Sequence, residues 1–187
     1  MILPEARNHE VFENTFIDWC HERGLNVLDL SYHNHLPERE ANKLRSNYFP
    51  TTLQYRTSPD FLVLNKNMST YVELKTGNMK DKICLEAFPL MINQIHEKIL
   101  NIPCLYIYRG NATKWIEKCC YSSQIKPIRL VIPLNRSKND KIKNMLKGYF
   151  SGIEIIEKNV SDKFSGDAFI EVEAEEVNKW KSLDEVI

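Results

Sequence analysis

The sequence predicts an α/β fold, a mixed β-sheet flanked by helices. Three observations carry that expectation. The chain reads in order as helix, hairpin, helix, strand, helix, strand. Phe61-Leu62-Val63-Leu64 is a continuous apolar run, as a strand covered on both faces requires, and a second strand follows it across a turn. Finally, 187 residues with 43% hydrophobic and 27% charged side chains suffice to bury one domain-sized core.

Asn8 to Arg23 has helical apolar spacing and stops at Gly24, a residue suited to the position after a helix. Asn26 to Tyr32 alternates as a strand does, and residues 33–50, with Pro37 and Pro50, read as a long excursion or a short helix. Pro59-Asp60 leads into the apolar strand, Asn65-Lys66-Asn67-Met68 has turn composition, and Thr70 to Lys75 is the second strand, ended by Thr76-Gly77-Asn78. Lys82 to Leu100 reads as one helix, with Pro89 as a kink or an early boundary. Strands are predicted at Pro103 to Tyr108 and Ile128 to Ile132, with a short helix at 112–120 between them. Ser137 opens a basic helix that runs through Lys147 and closes at Gly148, and Ile153 to Glu157 is the last core strand. The expected organisation is one domain over residues 1–158 and an acidic C-terminal extension over 159–187, in which Phe169 to Val172 is strand-like and Glu175 to Lys181 helical.

Charge is balanced overall but segregated along the chain. The 25 basic and 25 acidic residues split into a balance of −2 over residues 1–100, +8 over 101–150 and −6 over 151–187. Zero net charge excludes a uniformly basic coat for polyanions, and the +8 block keeps a local phosphate-binding surface open. The five cysteines have no CxxC spacing and are read as reduced thiols, with no metal–thiolate site. No apolar run approaches a membrane span of about 20 residues, and the N-terminus lacks the pattern of a signal peptide, so a cytoplasmic protein without membrane partners is expected.

The chemistry concentrates at the hairpin. On a helical wheel with Glu13 at zero, Phe16, Ile17 and Cys20 fall within about 60° of it. Glu13 is thus expected in the middle of the apolar stripe, where a carboxylate is costly without a partner. In the second strand Glu73 and Lys75 share one face while Val72 and Leu74 take the other. A hairpin closed by a loop at 65–68 sets Asp60 directly across from Glu73, so two carboxylates and an ammonium converge. A hard divalent cation with oxygen ligands would relieve the repulsion; Mg²⁺ suits such a site, with Mn²⁺ as the alternative. Lys75 would then orient an attacking water or stabilise charge on a phosphate.

Ser58-Pro59-Asp60 followed by Glu73-Leu74-Lys75, with the glutamate thirteen residues after the aspartate, resembles the motif of the PD-(D/E)XK nuclease superfamily. The resemblance covers roughly residues 8–110. It implies a restriction-endonuclease-like core, a central mixed sheet with flanking helices, and metal-dependent hydrolysis of phosphodiesters. On the same footing Asp60 and Glu73 would ligate the metal, the Leu74 carbonyl would add a ligand, and Lys75 would be the catalytic lysine. Glu13 resembles the glutamate that many members carry on the helix before the hairpin, with Glu10 as its substitute. Gln94 resembles the glutamine of the RecB-like and resolvase-like branches; where the RecB-like pattern has a tyrosine four residues on, this chain has Lys98.

Arg56, just ahead of Asp60, and Arg109, Lys114, Lys138 and Lys141 in the basic block are the candidate contacts to backbone phosphates. His33, His35 and Glu86 read as solvated side chains, and Tyr106 and Tyr108 as core. The function expected is a Mg²⁺-dependent nuclease, a DNA endonuclease in preference to an RNA-cleaving enzyme. The rivals are a binding or assembly module of the same fold without catalysis, and an interaction protein whose acidic tail docks on a partner or on a second copy; a homodimer stays open.

Overall fold

Two mixed β-sheets share an apolar layer in the computed structural model, which describes residues 4–31, 35–37, 39–40, 57–66, 68–77, 82–110, 117–135, 140–160 and 168–187. Helix α1 (Pro4–Glu22) lays Phe12, Phe16 and Cys20, spaced one turn apart, on the first sheet. The chain then reverses at Gly24, whose φ of 68° is the left-handed conformation that glycine adopts without strain. β1 (Asn26–Asp29), β2 (Phe61–Asn65) and β3 (Met68–Gly77) form an antiparallel meander. Phe61 lies opposite Val72 and Asn65 opposite Met68, the register expected from the sequence.

β4 (Lys82–Glu86) leaves this sheet and leads directly into α2 (Ala87–Leu100). β5 (Cys104–Gly110) returns parallel to β3, and β6 (Glu117–Tyr121) runs antiparallel to β5, giving the order β1-β2-β3-β5-β6. β7 (Arg129–Pro133), α3 (Asp140–Tyr149), β8 (Glu154–Lys158), β9 (Phe169–Glu173) and α4 (Ala174–Asn178) follow, and the second sheet has the order β4-β9-β7-β8.

Each face of the first sheet has its own core. On the α1 side Phe12, Phe16 and Cys20 meet Phe61, Val72, Leu74, Leu105 and Ile107. On the other side Tyr106 and Tyr108 meet Leu90 and Met91 of α2 and the inner face of the second sheet, including Leu130, Ile132, Ile170 and Val172. Burying each such aliphatic or aromatic side chain contributes about 1.5–3 kcal/mol. The C-terminal stretch closes the β6 edge: the Cys119 N–H donates to the Lys181 carbonyl at 2.9 Å, and the Lys181 N–H returns a bond at 3.2 Å. Among the described residues no helix is long and apolar enough to cross a membrane.

Three elements differ from the sequence reading. Lys82 to Leu100 is a strand and a helix rather than one helix; Ile83 and Leu85 point inward with a period of two, and Pro89 sits in the first turn of α2, where its missing N–H costs no helical bond. Residues 117–120, expected to end a short helix, belong to β6, with Cys119 and Cys120 facing the two different cores. The strand expected at Phe169 to Val172 is present as β9, but it lies inside the second sheet, paired with both β4 and β7, and not in an extension beside the core. Most of the 33–50 excursion, and residues 111–116 and 136–139, lie outside the described residues.

Candidate active site

Asp60 stands at the entry to β2 and Glu73 and Lys75 near the end of β3, so all three reach one end of the first sheet. Strand alternation turns Val72 and Leu74 into the α1 core and leaves Glu73 and Lys75 on the opposite face. The Leu74 N–H donates to Asp60 Oδ2 at 2.7 Å, fixing the aspartate against β3. Lys75 Nζ lies 2.7 Å from Glu73 Oε1 and 3.6 Å from Glu86 Oε2.

Glu73 is only 5% exposed, and a buried carboxylate beside another one is expensive to ionise. Burial first, and the Asp60 carboxylate second, push its carboxyl up to about 8 against the opposing pull of Lys75. Burial alone would lower the Lys75 ammonium, but the carboxylates of Glu73, Glu86 and Asp60 outweigh it and hold the proton more firmly than usual. Three carboxylates thus act on the Lys75 ammonium. Tyr106 lies beside Glu73 across the β3–β5 pair, and the Asn93 amide donates to its hydroxyl at 2.9 Å. Burial, then the Glu73 charge, raises this phenol well above its ordinary range, so it stays neutral.

Other expected residues fall elsewhere. Glu13 is half-buried on the flank of the α1 stripe, beside rather than in the middle of it, and α1 covers the sheet face opposite Glu73 and Lys75. Gln94 is committed away from the carboxylates: its amide donates to the Ser122 carbonyl at 2.7 Å and accepts from the Tyr149 hydroxyl at 2.9 Å. The α2 residue that meets β5 is its neighbour Asn93. Arg109 is 7% exposed, its guanidinium 4.9 Å from the centre of the Phe12 ring, so it packs under α1 instead of presenting its charge to a phosphate. Lys141 is exposed in the first turn of α3. Arg56, Lys114 and Lys138 lie outside the described residues.

Glu86, read from the sequence as a solvated glutamate on the Gln94 helix that could at most reach the site's edge, instead ends a strand and meets Lys75. The alternation Lys82-Ile83-Cys84-Leu85-Glu86 was the available signal: it marks a strand, whose end carries Glu86 to Lys75. Among the described residues no group of three or more His, Cys, Asp or Glu side chains could cage a metal ion. What the site offers is two carboxylates on adjacent strands, a donor set that fits a cation completing its shell with water, backbone carbonyl or phosphate oxygens.

A mixed sheet flanked by helices, with these carboxylates at one end, is the restriction-endonuclease-like fold. Among solved structures, the chain is similar to that of Hjc, a Holliday junction resolvase from the archaeal hyperthermophile Archaeoglobus fulgidus, with a TM-score of 0.50 and 9% identity over 95% of this chain and 93% of that one. At that identity the likeness speaks for the fold alone. No protein-family model and no curated protein matches the sequence.

Proposed function

We propose that the chain is a divalent-metal-dependent nuclease that hydrolyses phosphodiester bonds in DNA as an endonuclease. The observation that carries this reading is the convergence of Asp60, Glu73 and Lys75 at one sheet end, within a fold shared with a Holliday junction resolvase. Asp60, Glu73 and the Leu74 carbonyl would hold Mg²⁺, with Mn²⁺ as a substitute. When bound, the ion polarises the phosphodiester and lowers the pKa of a water. Asp60 is held ready by the Leu74 N–H, and Glu73 is poised to give up a proton for a cation because burial and Asp60 already disfavour its bare charge. Lys75 would hydrogen-bond the attacking water and offset negative charge on the phosphate. The basic block shows no base-reading motif, which favours recognition of DNA shape, branched forms included.

A second reading, a DNA-binding module of the same fold without catalysis, draws support from Gln94, which is engaged away from the site. One experiment separates the two. Duplex, single-stranded and branched DNA, and RNA, are incubated with Mg²⁺ and wild type, Asp60→Ala or Lys75→Ala. Metal-dependent cleavage of DNA by the wild type alone is expected; equal cleavage by all three proteins overturns the assignment, and salt-sensitive binding without cleavage favours the module.

A further inference from the structure

We propose that Glu86 is a positioning residue for Lys75, keeping its ammonium at the site once Glu73 is committed to a cation; this rests on the nuclease reading above. Lys75 has two carboxylate neighbours of different kinds. Glu73, at 2.7 Å, is buried and sits beside Asp60. Glu86, at 3.6 Å, has a side chain 42% exposed and comes from the second sheet.

A cation held by Glu73 and Asp60 brings like charge next to the Lys75 ammonium and occupies the oxygens that Lys75 shares. On a flexible four-carbon stem, that ammonium would swing to solvent unless another anion keeps it in place. Glu86 is such an anion, and its backbone is fixed. It ends β4 opposite Phe169 of β9, and the next residue anchors the turn into α2, the Ala87 N–H donating to the Ala168 carbonyl at 3.0 Å. A small shift of its half-exposed carboxylate closes the gap to Nζ. The second sheet thereby acts on the chemistry of the first through one side chain.

The test compares wild type, Glu86→Gln and Glu86→Asp, with folding checked by circular dichroism. At saturating Mg²⁺, Glu86→Gln is expected to lower kcat about tenfold with KM for DNA little changed, and Glu86→Asp to recover part of the loss. Cation affinity, measured by calorimetry on the DNA-free protein, should stay within about twofold in both variants, because Glu86 is not a ligand. A second readout needs no cleavage: per-lysine reductive methylation followed by mass spectrometry. With Mg²⁺ present, Lys75 should remain shielded in wild type and become reactive in Glu86→Gln.

A kcat equal to wild type, or equal shielding of Lys75 in both proteins, overturns the proposal. A tenfold or greater loss of cation affinity overturns it too, and makes Glu86 a ligand. The parent reading fails separately, when wild type and Asp60→Ala cleave alike; a wild type that takes up no cation overturns both.

Discussion

The two sheets treat charge in opposite ways. At the end of the first, the carboxylates of Glu73, Glu86 and Asp60 all act on the ammonium of Lys75, and Glu73 is buried. On and around the second, acids and bases pair off: Arg129 bridges Glu154 and Glu171, Lys82 also meets Glu171, Lys147 meets Glu157, and Lys126 meets Glu176. A balanced, partly exposed network is what a scaffold carries, and each such pair adds little. A buried carboxylate beside a second one, as Glu73 is beside Asp60, is an excess of negative charge that is unfavourable in isolation, and a fold that keeps it is prepared for a positive partner. Lys126, Arg129 and Lys147 of the +8 segment thus find their counterions in the −6 segment, and the site lies outside both.

The sharpest way to break this contrast is to remove the excess. Glu73→Gln is expected to abolish metal-dependent cleavage, by roughly 10³-fold or more if the cation contributes several kcal/mol to the transition state. Leu130→Ala attacks the other sheet: this fully buried side chain leaves a cavity costing about 2–5 kcal/mol in urea unfolding, while kcat per folded molecule stays at the wild-type value. A variant of the second sheet that lost turnover without losing stability would show that the division is false.

A subtler effect concerns pH. The Glu73 carboxyl titrates at 4.5 ordinarily and at about 8 in the fold, so between those values the native state binds a proton that the unfolded chain does not. Stability of the metal-free protein should therefore fall as pH rises from about 5 to about 8, and Glu73→Gln should flatten that slope. Thermal unfolding in chelator across this range reads the difference. A wild type that gains stability over the same window, through Glu73, would contradict the raised carboxyl.

How much of this was legible in the sequence follows from which interactions are local. The β2–β3 hairpin was, because an apolar run, a turn and a period of two act over a short stretch, and its register alone brings Asp60 to Glu73. β4 was not: its pairing with β9 joins residues from opposite halves of the chain, and Ile83, Ala87, Leu90 and Met91 can pass for a single helical stripe. Glu86 was lost with it. Arg109 was misread from charge, although alternation with Leu105 and Ile107 assigns it to the core face. Glu13 was misplaced by about 60°, since the stripe that folds down is centred on Phe16.

The smallest expected effect tests the second sheet's balance most directly. Ten basic residues in segment 101–150 would, if all met phosphates, give log K against log salt a slope near −9. Arg109 is buried, Lys118 donates to the Trp180 carbonyl at 3.2 Å, and Lys126, Arg129, Lys143 and Lys147 each have a carboxylate partner. A base already neutralised within the fold releases few counterions when DNA arrives, so the measured slope should fall well short of that figure. Lys98→Ala, just ahead of that segment at an exposed position on α2, should make the slope shallower by about 1. Arg129→Gln should leave it unchanged, because that guanidinium is held by Glu154 at 2.7 Å and Glu171 at 2.8 Å. Fluorescence anisotropy with labelled duplex across a salt series distinguishes the two. Should Arg129→Gln lower the slope as much as Lys98→Ala, the network of the second sheet opens to bind DNA, and the contrast between a charged scaffold and an unbalanced site gives way.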